Sequence, residues 1–457
     1  MDRNVSYTTQ LATYAASLRY EDLPHGVVKA AKRATLDLLG VIFPAVQYAP
    51  ARLMNDYVRR QGGGPIATVV GTDIRSSTAN AALANGTMAA EMEQDDVHPE
   101  SGTHPGSVFV PAMLAVAEDL GSNGRHWIAG LVAAYDVGCR IATAMEFPRT
   151  YKRGFHSTGV AVAFGGAAGA GRLLKLDAAG MESALGLYAS QACGLLTYQM
   201  ERDHFVKSLQ SGVPARNAVT SAELAAMGYV GAPGVLDGEY NVFDAFSTHD
   251  NFPALVKELG VRYEIEHTGY KFYSACRAIH TPLDMLLDQM AEHRFGPDDV
   301  ARMRVWLPAP SIPVVNNNKL TTHNLQFIMA AGLVDREITR VQISNERRAD
   351  TKLNEIASRV SLLPDSGLEG RHPGAGMLGP ARIEVTLRDR RKFEDERPGP
   401  RGSNVRPVTD GDIEAKFLQM ATQSIPEKQA RGIIDCVASL EHLTDMRELS
   451  CLLVKER

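Results

Sequence analysis

Cysteine is scarce in this chain and poorly placed for chemistry. The five cysteines, Cys139, Cys193, Cys276, Cys436 and Cys451, are scattered, odd in number and never spaced Cys-x-x-Cys. That pattern argues against a disulfide framework, a zinc site and an iron–sulfur cluster. Long apolar runs are missing too, and no stretch reads as the ~20 uninterrupted residues that cross a bilayer. The opening Met1-Asp2-Arg3-Asn4-Val5-Ser6-Tyr7 lacks the basic-then-apolar layout of a secretion signal. The expected compartment is therefore the cytoplasm, with no membrane partner. Basic excess is absent as well. With 48 Lys+Arg against 53 Asp+Glu, the net charge is −5. This excludes a global nucleic-acid footprint but leaves room for a local basic pocket that takes an anion. Internal repeats and low-complexity tracts are also lacking.

What is present describes a folded chain of two domains. Its 457 residues exceed one ordinary core, and a hydrophobic share of 44% with a charged share of 22% is that of a globular protein. The first half reads as helices. Asp22 and Pro24 look like a cap and a first-turn proline, after which Val27, Ala31, Ala34, Leu38 and Val41 share one helical face. Residues 111–120 read as a second helix stopped by Gly121. Residues 127–145 read as a third, apolar all round and so buried among other helices. Strand signals come only later. Met303, Val305 and Leu307 alternate with their neighbours, as do Ile383, Val385 and Leu387 before the polar Asp389-Arg390 turn. Gly/Pro-rich stretches follow at 364–380 and 398–407, and helical pattern returns at 412–420 and 426–440. The expected fold is mainly α with a smaller α+β part. A large helical domain spans 1–262 and is completed by 408–457, and a smaller α/β lid domain covers 263–407.

Three segments carry candidate chemistry. The first holds Glu91, Glu93, Asp95, Asp96, His98 and Glu100, then Gly102-Thr103-His104-Pro105-Gly106. For the acids alone a solvated loop is the ordinary reading. The histidines in a Gly/Pro frame favour a site instead. A metal bound by Asp95, Asp96, His98 and His104 is the alternative, although their spacing matches no ligand motif. The second segment is Gly154-Phe155-His156-Ser157-Thr158-Gly159, followed by a Gly/Ala-rich run to Leu174. That run lacks G-x-G-x-x-G, a Walker lysine and a leading strand, so its small residues point to close helix packing, not to a nucleotide loop. His156, at the mouth of this helix, is favoured in its neutral form and suited to act as a base. The third set is Lys207, in His204-Phe205-Val206-Lys207-Ser208, and Lys271, in Gly269-Tyr270-Lys271-Phe272-Tyr273-Ser274-Ala275-Cys276-Arg277-Ala278-Ile279-His280. A lone lysine is usually a surface residue. The alternating aromatic, small and basic residues set Lys271 apart.

Together His104, His156, Lys207, Lys271, Arg277 and His280 suggest a cationic pocket with acids nearby. Deprotonating a carbon beside a carboxylate builds a doubly charged, enolate-like intermediate, and fixed cations aimed at its oxygens stabilise it. Imidazole titrates near neutrality and can move the proton, whereas a lysine stays charged and anchors a carboxylate. The expected activity is proton movement and loss of a leaving group next to a carboxylate of a small polycarboxylic acid, without a metal or redox cofactor.

Taken in order, these segments resemble the MmgE/PrpD family, which includes 2-methylcitrate dehydratases, cis-aconitate decarboxylases and iminodisuccinate epimerases. The likeness covers Leu36-Asp37-Leu38-Leu39-Gly40-Val41, Asn85-Gly86-Thr87, Asp95-Asp96, His98-Pro99, His104-Pro105-Gly106 and Gly154-Phe155-His156. It continues through Lys207 with Gly212, Lys271 with its aromatic neighbours, Leu325-Gln326-Phe327 and Glu414-Ala415-Lys416-Phe417. The resemblance implies a helical domain with a smaller α/β lid, a cleft between them and a homodimer. It places active-site positions on Glu93, Val97, His104, His156, Lys207, Lys271 and Phe327. Asp96 and Arg277 join the expected substrate contacts. The histidines and lysines are of the family's type. Glu93 stands for an aspartate, Val97 for a threonine, Phe327 for a tyrosine, and Cys276 where the decarboxylases have a histidine. Dehydration of a 2-methylcitrate-like hydroxy acid is the first expectation, followed by decarboxylation of a cis-aconitate-like acid and epimerisation of a substituted succinate. The donors lost at Val97 and Phe327 also permit a weakened member with a binding or structural role.

Overall fold

The computed structural model describes residues 6–248 and 251–455. Two hydrophobic cores organise it. The larger unites Phe43, Phe109, Trp127, Tyr135 and Phe164 with Ile413, Phe417, Ile433 and Leu449 of the C-terminal helices. The smaller gathers Ile279, Leu283 and Leu286 with Phe327, Ile328 and Met329 and one face of a sheet. The result is a large helical domain and a smaller α/β domain.

The helix Gly124–Met145 lies at the centre of the larger core and is buried continuously from Trp127 to Ala142. By length and composition it could cross a membrane, but it is almost wholly buried inside the protein. Its apolarity is therefore that of a core helix surrounded by others. Small residues let the helix Phe164–Leu173 settle against it. A Cβ on Gly138 would lie 2.2 Å from the Val162 carbonyl oxygen, and one on Gly165 would lie 2.1 Å from that of Ala134. The Gly/Ala run is thus a packing surface, as read from the sequence.

A second close crossing matters more for chemistry. The helices Thr78–Glu91 and Phe205–Ala226 meet at Gly86 and Gly212. A Cβ on Gly212 would lie 2.2 Å from Thr87 Oγ1 and 2.4 Å from the Leu83 carbonyl oxygen. The crossing brings the end of the first helix alongside the first turn of the second.

The structure corrects several local readings. Asp22 does not cap a helix; it sits in the short turn Tyr20–Asp22 and pairs with Arg19, while Pro24 holds the cap position of the helix His25–Ala45. The helix expected from Pro111 begins five residues earlier, as Gly106–Leu120, and ends as read at Gly121 with φ 59. Its first N–H is satisfied by Asp96 Oδ1 at 2.9 Å, a partner ten residues upstream that no local cap pattern reveals. Strands also occur earlier than expected, in a ribbon of β1 (Ala67–Thr68) and β2 (Arg75–Ser76). The main sheet contains the two expected strands, β3 (Val300–Leu307) and β5 (Ala381–Leu387), with Val305 opposite Ile383 and Met303 opposite Val385. It adds β4 (Val360–Pro364), parallel to β3, and β6 (Lys392–Arg397), antiparallel to β5, in the order β4-β3-β5-β6. Both additions are edge strands, and β6 is almost wholly charged, so neither shows the alternation that betrays a half-buried strand.

Candidate active site

The acidic segment after the helix Thr78–Glu91 is not a solvated loop, because every residue from Glu91 to Pro99 is buried. Glu91 meets Arg340 Nη2 at 2.6 Å through Oε1 and accepts from Ser208 Oγ at 2.7 Å through Oε2. The chain then turns through Glu93 with φ 53, a left-handed conformation unusual for a side chain of this size. Three bases hold it there. Lys271 Nζ donates to Oε1 at 3.1 Å and to the Glu93 carbonyl at 3.2 Å. Lys207 Nζ donates to Oε2, which also lies 2.9 Å from His204 Nε2. Burial pushes the Glu93 carboxyl up, but Lys207, Lys271 and His204 outweigh it and hold the group well below the usual carboxylate range. Burial likewise opposes the charge on Lys207, yet Glu93 and Asp95 raise it above an ordinary lysine.

Asp95 extends the cluster to the first histidine. Its Oδ2 lies 3.3 Å from His104 Nδ1 and its Oδ1 3.5 Å from Lys271 Nζ. Burial pushes this carboxyl up as well, but His104 and Lys271 pull it below its ordinary value. His104 Nδ1 also faces the Asp96 carbonyl oxygen at 3.2 Å. Both neighbours of Nδ1 are acceptors, so Nδ1 carries the hydrogen and Nε2 presents a bare lone pair. His156 is fixed in the same way. Gln210 Nε2 donates to the Leu195 carbonyl at 2.7 Å, leaving Gln210 Oε1 to accept from His156 Nδ1 at 2.7 Å. Burial lowers both imidazoles; Asp95 partly offsets the effect at His104, while His156, beside Lys207, falls to about 3. The two histidine segments are tied together by the His104 N–H, which donates to Thr158 Oγ1 at 3.3 Å. The His156 ring packs against Tyr198 with centroids 4.9 Å apart.

Four of the expected residues, His104, His156, Lys207 and Lys271, thus surround Glu93 and Asp95. The others stand elsewhere. Val97 pairs through its backbone with Gly269, at 2.8 and 2.7 Å, and so aligns the acidic segment with the Lys271 loop. Asp96 turns away from the cluster to Tyr135 Oη at 2.6 Å and the Gly106 N–H, and burial raises its carboxyl to about 8. Arg277 is buried, donates to the Tyr270 carbonyl at 3.2 Å and is lowered to about 10 by burial. His280 bonds the Ala275 carbonyl at 3.0 Å. Neither Arg277 nor His280 makes a hydrogen bond or ion pair to Glu93, Asp95, His104 or His156 among the described residues. Phe327 is buried in the smaller core with the Arg348 guanidinium 5.0 Å from its ring centre. The alternative metal set does not converge: Asp95 faces His104 and Lys271, Asp96 faces Tyr135, and His98 faces Ser101 and Glu264.

Comparison with known proteins gives the family of the chain. The MmgE/PrpD N-terminal domain matches residues 9–255 and the MmgE/PrpD C-terminal domain residues 273–442. The chain belongs to the MmgE/PrpD family. Its similarity to individual members runs nearly end to end. It is 28% identical to the cis-aconitate decarboxylase-like protein oryM of Aspergillus oryzae, over 98% of this chain and 97% of that one. It is 25% identical to the cis-aconitate decarboxylase of Aspergillus terreus, over 98% and 95%. It is 27% identical to that of Homo sapiens, over 98% and 94%.

Within this family framework, sequence reasoning missed the roles of His204, Asp95 and Gln210. His204 and Gln210 each lie three residues from Lys207, the spacing that puts helical side chains on one face, so a search along that face would have found them. Tyr198 gave no comparable signal.

Proposed function

We propose that the chain is a lyase acting beside a carboxylate of a small polycarboxylic acid, and that its reaction is decarboxylation of a cis-aconitate-like acid. The observation that carries this reading is the pairing of two neutral imidazoles, each with a bare Nε2, with two lysine ammonium groups that share one buried glutamate. Breaking the bond to a carboxylate releases carbon dioxide and leaves the electron pair on carbon, spread over the adjoining double bond and a retained carboxylate. Lys207 and Lys271 stabilise that charge. One proton is consumed per turnover; it comes from solvent, relayed by His104 or His156 to carbon. The activities named for the relatives support the same choice. Dehydration, favoured on sequence alone, fits less well. Dehydration requires one proton removed from carbon and another delivered to the leaving hydroxide, whereas decarboxylation needs a single delivery, to carbon.

The test is a substrate panel of cis-aconitate, 2-methylcitrate, citrate and iminodisuccinate in heavy water. Release of carbon dioxide from cis-aconitate with one carbon-bound deuterium per turnover is expected. Ultraviolet absorbance gained from 2-methylcitrate or citrate without carbon dioxide would make the protein a dehydratase. Deuterium exchange alone would make it an epimerase, and silence on all four would leave a binding role. The reading also expects activity to survive exhaustive chelation. A homodimer is proposed with it, but not through residues 127–145. The apolar surface of that helix is consumed inside the chain. Light scattering on the 49.5 kDa chain tests the dimer.

A further inference from the structure

The four charges at the heart of the site cancel before any substrate enters. Lys207 and Lys271 face Glu93 and Asp95, whose carboxyls are both held below their ordinary values. An acid with two or three carboxylates therefore brings charge that this cluster does not neutralise alone. Burying such charge without further cations is costly.

Unpaired cations stand next to it. A cavity of about 890 Å³ opens between the domains, with Arg202 and Asp203 on one side and Lys319, Thr321 and Arg348 on the other. Among the described residues no carboxylate lies within 4.0 Å of the charged nitrogens of Arg202, Lys319 or Arg348. Nearby Arg340, Arg347 and Arg359, by contrast, hold carboxylates at 2.6, 2.6 and 2.7 Å. Asp203, the acid on this wall, already accepts from Asn345 Nδ2 at 2.7 Å. The face of the Arg348 guanidinium covers the Phe327 ring. Both walls continue into the catalytic cluster. Asp203 precedes His204, the partner of Glu93, and Thr321 precedes Thr322, whose Oγ1 lies 3.2 Å from His204 Nε2.

We propose that Arg202, Lys319 and Arg348 form an outer anion subsite, which captures a polycarboxylate and neutralises the carboxylates that the inner lysines do not. The identity of its ligand as a polycarboxylate rests on the function proposed above; the cluster of unpaired cations does not. Capture by exposed cations of one sign raises encounter and local concentration, and it weakens with salt.

Tricarballylate, a saturated tricarboxylate with neither double bond nor hydroxyl, reports binding by calorimetry without turnover. In low salt the double variant Arg202→Gln/Lys319→Gln should bind it about tenfold more weakly than the native protein, and the gap should close as salt is raised. Asp203→Asn, which removes the opposing charge, should tighten binding, an outcome that misfolding cannot mimic. With cis-aconitate as substrate, the double variant's loss should appear in KM and not in kcat. An unchanged tricarballylate affinity in low salt, or a deficit that persists undiminished in high salt, overturns the subsite. The two proposals fail separately. If none of the four acids of the panel reacts but tricarballylate affinity still follows these variants, the reaction falls and the subsite stands. If cis-aconitate reacts while affinity and KM ignore them, the reverse holds.

Discussion

At the scale of single residues, the types of the candidate catalytic groups were legible and their meeting was not. His104, His156, Lys207 and Lys271 stand out by context, but Glu93 finds its lysines 114 and 178 residues away. The acids of residues 91–100 look solvated when read alone, because their countercharges lie so far along the chain. Glu93 is consequently the residue with most to lose. Glu93→Gln leaves two buried ammonium groups without their shared carboxylate and should cost about 3–5 kcal/mol of stability in denaturant titration. A variant as stable as the native protein would mean that the cluster is not charged as described. For the histidines, His104→Ala and His156→Ala should each lower turnover on the order of 100-fold, with smaller effects on KM. If both kept near-native turnover in folded protein, neither would move the proton. The pH profile offers an independent check. A group that hands a proton to carbon acts through its protonated form, and burial lowers both imidazoles, His156 to about 3. kcat/KM should therefore decline as pH rises, with the decline under way below pH 6.5, the ordinary imidazole value.

At the scale of elements, helices with periodic apolar faces were readable and those completed by distant groups were not. The helix Gly106–Leu120 hides its start because Asp96 supplies the first acceptor from outside the helix. β4 and β6 escape notice because edge strands lack a two-sided burial pattern. The contact with the greatest leverage is the one between Gly86 and Gly212. Gly212→Ala inserts a methyl group where the Thr87 hydroxyl and the Leu83 carbonyl already lie, so the two helices must separate. That separation should destabilise the fold by about 1–3 kcal/mol, as overpacking does. It should also draw Lys207 away from Glu93, lowering kcat more than the loss of folded protein explains. Activity per folded molecule equal to the native value would show that the crossing only packs and does not position.

At the scale of the whole molecule, the two-domain plan was legible because periodicity changes from helical to strand-like and back, while the closeness of the charges within it was not. That closeness gives a stability profile with two opposing slopes. Asp96, raised to about 8, keeps its proton in the folded state, whereas the unfolded chain loses it near pH 4. Between those limits the folded protein binds more protons, so this group makes stability fall as pH rises. Asp136, raised to about 7 by burial despite the hydrogen bonds it accepts from Tyr14 and the Glu264 N–H, acts with the same sign. Glu264 is the opposite case. Burial pushes it up, but His98, Arg140 and Arg262 bring it down to about 2, so the stability it lends is lost as pH drops from about 4 toward that value. Asp96→Asn should therefore flatten the decline in melting temperature between about pH 4 and 8 and leave the acid side unchanged. A decline as steep as in the native protein would show that Asp96 is ionised when folded.

The ion pair between Arg340 and Glu91 joins these scales. Arg340 belongs to the smaller domain, and Glu91, wholly buried, also grips Ser208, the neighbour of Lys207. Swinging the smaller domain aside would strand Glu91 without a countercharge and slacken the turn that aims the lysine. Any parting of the two domains would then also disarm the site, so the lysine is aimed only while the domains stay together.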